Sequence, residues 1–329
     1  MPVGDAPIPR PAPVRHSAGR PLTPALHVAE RGILGLPVQL ESDAPELLAA
    51  ALRACDPWSD AAVPAGARRL RLGLVPDAMA GAANGLIRVE GRRLTLLAPG
   101  AEGGADADTG EAWCRLAPAL LADPARLAEE ILDPLLLFML TRSGRIPLHA
   151  AGFLLGERAV LLYGPGGSGK SSLALEAARA GLPVLGDDTV FLEMARGLRI
   201  WGFPRVFHLP LGAAGTVAAP APVDATAMRL RGGRWKLRVE PRGLVSGPVE
   251  GGILCILAAG ERAAMEPLRP EDAVAAVMAS LEPGFDHFRD LLPDALRLLA
   301  APGCWRLTLD EDPASGFAVL RVALTASGW

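Results

Sequence analysis

Residues 164–172 read Gly164-Pro165-Gly166-Gly167-Ser168-Gly169-Lys170-Ser171-Ser172, directly after the apolar run Ala159-Val160-Leu161-Leu162-Tyr163. The run has the length and composition of a buried strand. Residues 170–180 carry a helical pattern, with Gly181 placed to cap the C-terminal end. Strand, glycine cluster and helix in that order, matching G-x-x-x-x-G-K-[ST] at every fixed position, predict a phosphate-binding loop. Its glycines let backbone N–H groups converge on phosphate oxygens, and the helix adds the positive end of its dipole. The Lys170 ammonium then reaches the β- and γ-phosphates, and the Ser171 hydroxyl is placed to ligate Mg2+. The expected ligands are ATP and Mg2+, with the nucleotide held by residues 164–172.

Lysine usage sharpens this reading. The chain has 33 cationic side chains, and lysine occurs only at 170 and 236. Arginine is the default cation, so a position that keeps lysine has a reason to prefer a compact ammonium to a planar fork. Lys236, in Arg234-Trp-Lys-Leu-Arg238, reads either as a point charge near the γ-phosphate or as an ordinary surface lysine.

Working outward, Asp187-Asp188 follow the apolar run 182–185. Side chains alternate along an extended backbone, so two adjacent carboxylates divide the work. One accepts a hydroxyl proton as a base in phosphoryl transfer and the other stands on the metal side. A polar turn after Gly186 is the plainer reading. Upstream, 149–155 and 159–163 read as two strands joined at Gly156-Glu157-Arg158, a hairpin of three to five loop residues. His149 alone reads as a core histidine. Arg205, on a Phe-Pro-Arg turn, either stabilises transferring phosphate or pairs with an acidic neighbour.

Leu148-His-Ala-Ala-Gly, a short hairpin, Gly164-Pro-Gly-Gly-Ser-Gly-Lys-Ser-Ser-Leu-Ala and Gly181-Leu-Pro-Val-Leu-Gly-Asp-Asp188 together resemble the catalytic core of the HPr kinase/phosphorylase family. The likeness is strongest to its shorter-motif members, which include peptide kinases acting on ribosomally made peptides. It is specific over 145–195, looser to Arg205 and Lys236, and one of pattern only over 25–140. It implies a P-loop core on a largely antiparallel or mixed sheet, Mg2+-ATP as donor, and a Ser hydroxyl of a peptide or small protein as acceptor. It also implies an active-site role for His149 near the phosphates, Asp187 as the base and Asp188 as the metal-side or supporting carboxylate. The acidic, glycine-rich second signature of the bifunctional enzymes is replaced here by Trp201-Gly-Phe-Pro-Arg205-Val-Phe-His208. Phosphorylase activity and HPr as substrate are therefore not implied. A small-molecule kinase and a nucleotide-binding switch without transfer activity are the alternatives, because the loop specifies the donor and not the acceptor.

The expected fold class is α/β: a P-loop, HPr-kinase-like catalytic domain with a mixed sheet over 143–329, preceded by a small α+β domain over 25–142. Residues 1–24, with seven prolines, read as a disordered tail. Residues 101–110 (AEGGADADTG) read as a polar loop, 124–141 as a helix interrupted at Pro134, and 212–224 as flexible. Stretches 271–281 and 285–301 read as helices. With a formal net charge of −3, no global basic field exists to attract nucleic acid or an anionic membrane. Apolar runs break well before a bilayer-spanning length, and the N-terminus lacks a secretory h-region, so a cytoplasmic protein is expected. Cys55, Cys114, Cys255 and Cys304 form no CxxC pair and signal neither zinc nor a disulfide framework. A homo-oligomer is left open.

Overall fold

The computed structural model describes residues 26–55, 59–60, 70–78, 85–195, 197–203, 207–210, 223–229, 235–241, 243–282 and 290–328. Of 59–60, 70, 207–210, 223–229 and 235–241 it describes the backbone. The expected tail at 1–24, Arg205, most of the 212–224 segment and the start of the helix expected at 285–301 lie outside the described residues, as does the Lys236 side chain. Among the described residues the chain is a mixed α/β fold with four sheets.

The first sheet takes β1 (His27–Ile33), β2 (Leu36–Ser42), β3 (Ser59–Asp60), β4 (Leu70–Pro76), β5 (Leu86–Glu90), β6 (Arg93–Ala98), β7 (Ala101–Asp106) and β8 (Glu111–Leu116). Their spatial order is β3-β1-β2-β4-β8-β7-β6-β5. Strands β6 and β8 alternate buried and exposed residues, the pattern of a sheet with one covered face. The cover is α1 (Pro45–Cys55) with a continuous helical stretch made of α2 (Pro124–Arg126), a π-helical turn at Leu127–Leu132 and α3 (Asp133–Arg142). That stretch runs on past Pro134, because the wider turn upstream accommodates the missing N–H.

The loop expected at 101–110 is instead β7 with a turn leading into β8. Its glycines are there for contact. A Cβ on Gly103 would lie 2.8 Å from the Trp113 carbonyl oxygen, and one on Gly104 would lie 3.1 Å from both the Leu94 carbonyl and the Trp113 indole nitrogen. The turn is held by the Asp106 carboxylate, which accepts from the backbone N–H groups of Asp108 and Thr109.

The second half contains β9 (Ile146–Leu148), β10 (Ala150–Leu155), β11 (Arg158–Tyr163), α4 (Lys170–Arg179), β12 (Val184–Gly186), β13 (Val190–Glu193), β14 (Arg199–Gly202), β15 (Phe207–Pro210), β16 (Val223–Arg229) and β17 (Trp235–Pro241). It continues with β18 (Val249–Glu250), β19 (Gly252–Ala259), β20 (Ala264–Leu268), α5 (Pro270–Ala279), α6 (Leu292–Ala300), β21 (Cys304–Leu309) and α7 (Pro313–Ala326). A six-stranded sheet runs β12-β10-β11-β19-β21-β20, a four-stranded one β18-β14-β13-β9, and a three-stranded one β15-β17-β16. The six-stranded sheet is mixed: β10 lies antiparallel to β11 and β12, while β11, β19 and β21 are mutually parallel. The β10–β11 hairpin closes through Gly156-Glu157 alone, since Leu155 pairs with Arg158. This is tighter than the sequence suggests.

Strand β10 has no solvent face at its centre. Ala151 and Phe153 pack into one core with α4 and α7, and Ala150 packs into another with α5 and α6. The core of the first half also takes in Phe191 and Trp201, from β13 and β14. At this junction Arg145, 4% exposed, donates from Nε to the Leu34 carbonyl at 2.7 Å. Its guanidinium lies 3.4 Å from Glu193 and 5.3 Å from the centre of the Trp201 ring, whose Nε1 donates to Glu193 at 2.9 Å. All four cysteines are buried, and none forms a disulfide. Among the described residues no helix is long and apolar enough to cross a membrane.

Candidate nucleotide site

Three segments converge at the seam between the six-stranded and four-stranded sheets. The glycine loop follows β11. His149 is the single residue between β9 and β10, and residues 187–189 join β12 to β13. Both joining segments carry the chain from one sheet to the other, which points their polar residues at the end of β11.

Helix α4 opens at Lys170 with Gly169 as its N-cap, at φ +96°. A Cβ at Gly169 would also stand 2.9 Å from Leu309 Cδ1 on β21, so backbone and space both select glycine. The loop is closed by Ser168 N–H donating to the Pro165 carbonyl at 3.1 Å. Lys170 is buried, and its ammonium donates to the Gly164 and Pro165 carbonyls at 2.6 and 3.2 Å. Burial holds its pKa below the usual lysine value, against the opposing pull of Glu282, Asp188 and Asp187. Pro165, Gly166 and Gly167 are exposed, while Ser171 and Ser172 on the first turn of α4 are half-buried.

The two aspartates lie in a bend between β12 and β13, as the polar-turn reading has it, and differ in exposure. Asp187 is buried at 7% exposure, whereas the Asp188 side chain is 71% exposed. His149 lies between two carboxylates: Nδ1 is 3.4 Å from Asp188 Oδ1 and Nε2 is 3.4 Å from Glu282 Oε1. Burial and the nearby Lys170 charge lower the His149 pKa, and Asp188 and Glu282 pull it back only in part. The ring is therefore chiefly neutral at pH 7.

Glu282 escapes the sequence reading. It stands just past α5, within Leu281-Glu282-Pro283, and no local pattern marks it. Its position depends on Tyr163, the chain's single tyrosine and the last residue of β11. The Tyr163 hydroxyl lies 3.0 Å from the Ser280 carbonyl and 3.2 Å from that of Val277, tying the end of α5 to the strand that feeds the glycine loop. Tyr163→Phe is expected to cost about 1 kcal/mol of stability, because it removes the hydroxyl that ties the end of α5 to β11, while the Val277 carbonyl keeps the Ser280 N–H. Urea denaturation of the two proteins measures it.

The structure thus brings together residues 164–172, His149, Asp187 and Asp188. Lys236 is placed by its backbone on β17, opposite Pro210 and Met228, and Arg205 lies outside the described residues. The residues present fit a metal-bound nucleotide. The Ser168 hydroxyl is buried and has no hydrogen-bond partner, which a phosphate oxygen would supply. Ser171 and Asp188 offer the oxygen donors that Mg2+ prefers.

No protein-family model matches the sequence, and no curated protein matches it. Among solved structures, the chain is similar to the Hpr(Ser) kinase/phosphatase from Coxiella burnetii at 12% identity, covering 56% of this chain and 99% of that one, with a TM-score of 0.27. A likeness at that score has no bearing on what this chain does.

Proposed function

We propose that the protein is a Mg2+-ATP-dependent phosphotransferase whose acceptor is a hydroxyl, with Ser of a peptide or small protein as the acceptor class. The observation that carries this reading is the meeting of a phosphate loop with a buried carboxylate. Lys170, on a helix N-terminus, stands among Asp187, Asp188 and His149. Mg2+, when bound, neutralises phosphate charge, and Ser171 and Asp188 are the residues that would hold it.

The residues divide the remaining work. Backbone N–H groups of the loop and the Lys170 ammonium bind and orient the phosphates. Asp187 takes the acceptor hydroxyl's proton as that oxygen bonds to the γ-phosphorus and the bond to the departing ADP breaks. Asp188 Oδ1 stands 3.4 Å from His149 Nδ1, which puts the imidazole beside the metal-side carboxylate. Arg205 and Lys236 belong to the proposal as further cations for the transferring group. The serine acceptor and a cytoplasmic setting rest on the family resemblance and the sequence.

Lys170→Ala tests the nucleotide site directly. Calorimetry should find Mg2+-ATP bound at least ~10-fold more weakly than by the wild type, about 1.4 kcal/mol. Unchanged affinity would remove the phosphate-loop reading. Incubating the wild type with labelled ATP and a cell extract identifies the acceptor.

A further inference from the structure

Glu282 is the one acidic side chain at the loop that the reading above does not use. Its Oε1 lies 3.4 Å from His149 Nε2 and 4.0 Å from the point that a Cβ on Gly166 would occupy. The carboxylate therefore stands beside the tip of the glycine loop. It is also the strongest of the three carboxylate charges acting on Lys170. Tyr163 anchors the end of α5 at Val277 and Ser280, five and two residues upstream of Glu282.

The charges here are unbalanced for a site that takes a polyphosphate. Among the described side chains, the single ammonium of Lys170 faces three carboxylates, Asp187, Asp188 and Glu282. Bare ATP would bring about four further negative charges to a loop beside which Glu282 already stands. A divalent metal removes half of the ligand's charge.

We propose that Glu282 is a specificity-determining residue that makes the site reject metal-free nucleotide and admit the divalent-metal complex. The proposal rests on the nucleotide-site reading above and adds the basis of its ligand selectivity. Glu282 acts by charge from beside the loop and takes no part in proton transfer.

Calorimetry at low ionic strength tests it, with ATP titrated once in EDTA and once in excess Mg2+. Wild type should prefer Mg2+-ATP strongly. Glu282→Gln should bind metal-free ATP about 10-fold more tightly than wild type, about 1.4 kcal/mol, with Mg2+-ATP affinity held within threefold. Glu282→Asp, which keeps the charge, should retain the wild-type preference. The glutamine gain should shrink in high salt, as a charge effect at a partly exposed group must. A gain for metal-free ATP below threefold overturns the proposal. So does a loss of Mg2+-ATP affinity with metal-free binding unchanged, which would make Glu282 a metal ligand. Wild type binding neither form would instead sink the nucleotide-site reading itself.

Discussion

Asp187→Asn is expected to keep the fold and most of the affinity for Mg2+-ATP while lowering phosphoryl transfer about 10²- to 10⁴-fold, the range of a lost general base. The amide fills the same volume at a position only 7% exposed, so the packing at the β12–β13 crossing is unchanged. What disappears is the capacity to take a proton. Asp188→Asn should behave differently, because that side chain is 71% exposed and 3.4 Å from His149. Its removal should raise the Mg2+ concentration needed for half-maximal rate. Single-turnover transfer to the labelled acceptor, paired with calorimetry, separates the two. Wild-type turnover by Asp187→Asn would refute its assignment as the base.

The second large effect is on stability. Arg145→Ala should destabilise the protein by about 2–3 kcal/mol, because it takes the nearer cation from a buried carboxylate. Glu193 is 8% exposed, and without Arg145 it keeps the Trp201 indole N–H at 2.9 Å and Arg199 at 3.9 Å. The Leu34 carbonyl loses its donor in the same step. Adding Glu193→Gln to Arg145→Ala should restore part of the loss, since the stranded charge is then gone. Urea unfolding of the two single variants and the double variant gives the coupling. A loss under 1 kcal/mol for Arg145→Ala would mean that the pair adds nothing at the junction.

The glycine loop was legible because everything it needs is consecutive: a strand, a turn that only glycine can make, and a helix. The different exposure of Asp187 and Asp188 does not come from strand alternation, because both lie in the bend between β12 and β13, where the backbone leaves the extended path that alternation needs. Glu282 was not legible, because its approach to Lys170 depends on a hydroxyl at Tyr163 reaching carbonyls more than 110 residues later. Arg145, Glu193 and Trp201 were likewise invisible as a group, since nothing local says that the turn after β1 meets β13 and β14. The 101–110 segment misled for a physical reason. Glycine pairs usually mark flexibility, yet Gly103 and Gly104 lie in a strand because neighbouring carbonyls and the Trp113 ring leave no room for a Cβ. The parallel pairing of β11 with β19 and of β19 with β21 joins segments far apart in sequence, which periodicity alone does not order.

The single-residue crossing at His149 restricts how this site can evolve. Strand β10 begins at the next residue, with Ala151 and Phe153 committed to one core and Ala150 to the other. Deleting His149 leaves no connector between the sheets, and a one-residue slip of β10 to absorb a change in length would exchange those faces, pressing the Phe153 ring towards the core that now accepts Ala150. Lineages descending from this protein can therefore exchange side chains at the crossing but cannot alter its length. Divergence in what the site accepts must accumulate in segments whose length is free to drift.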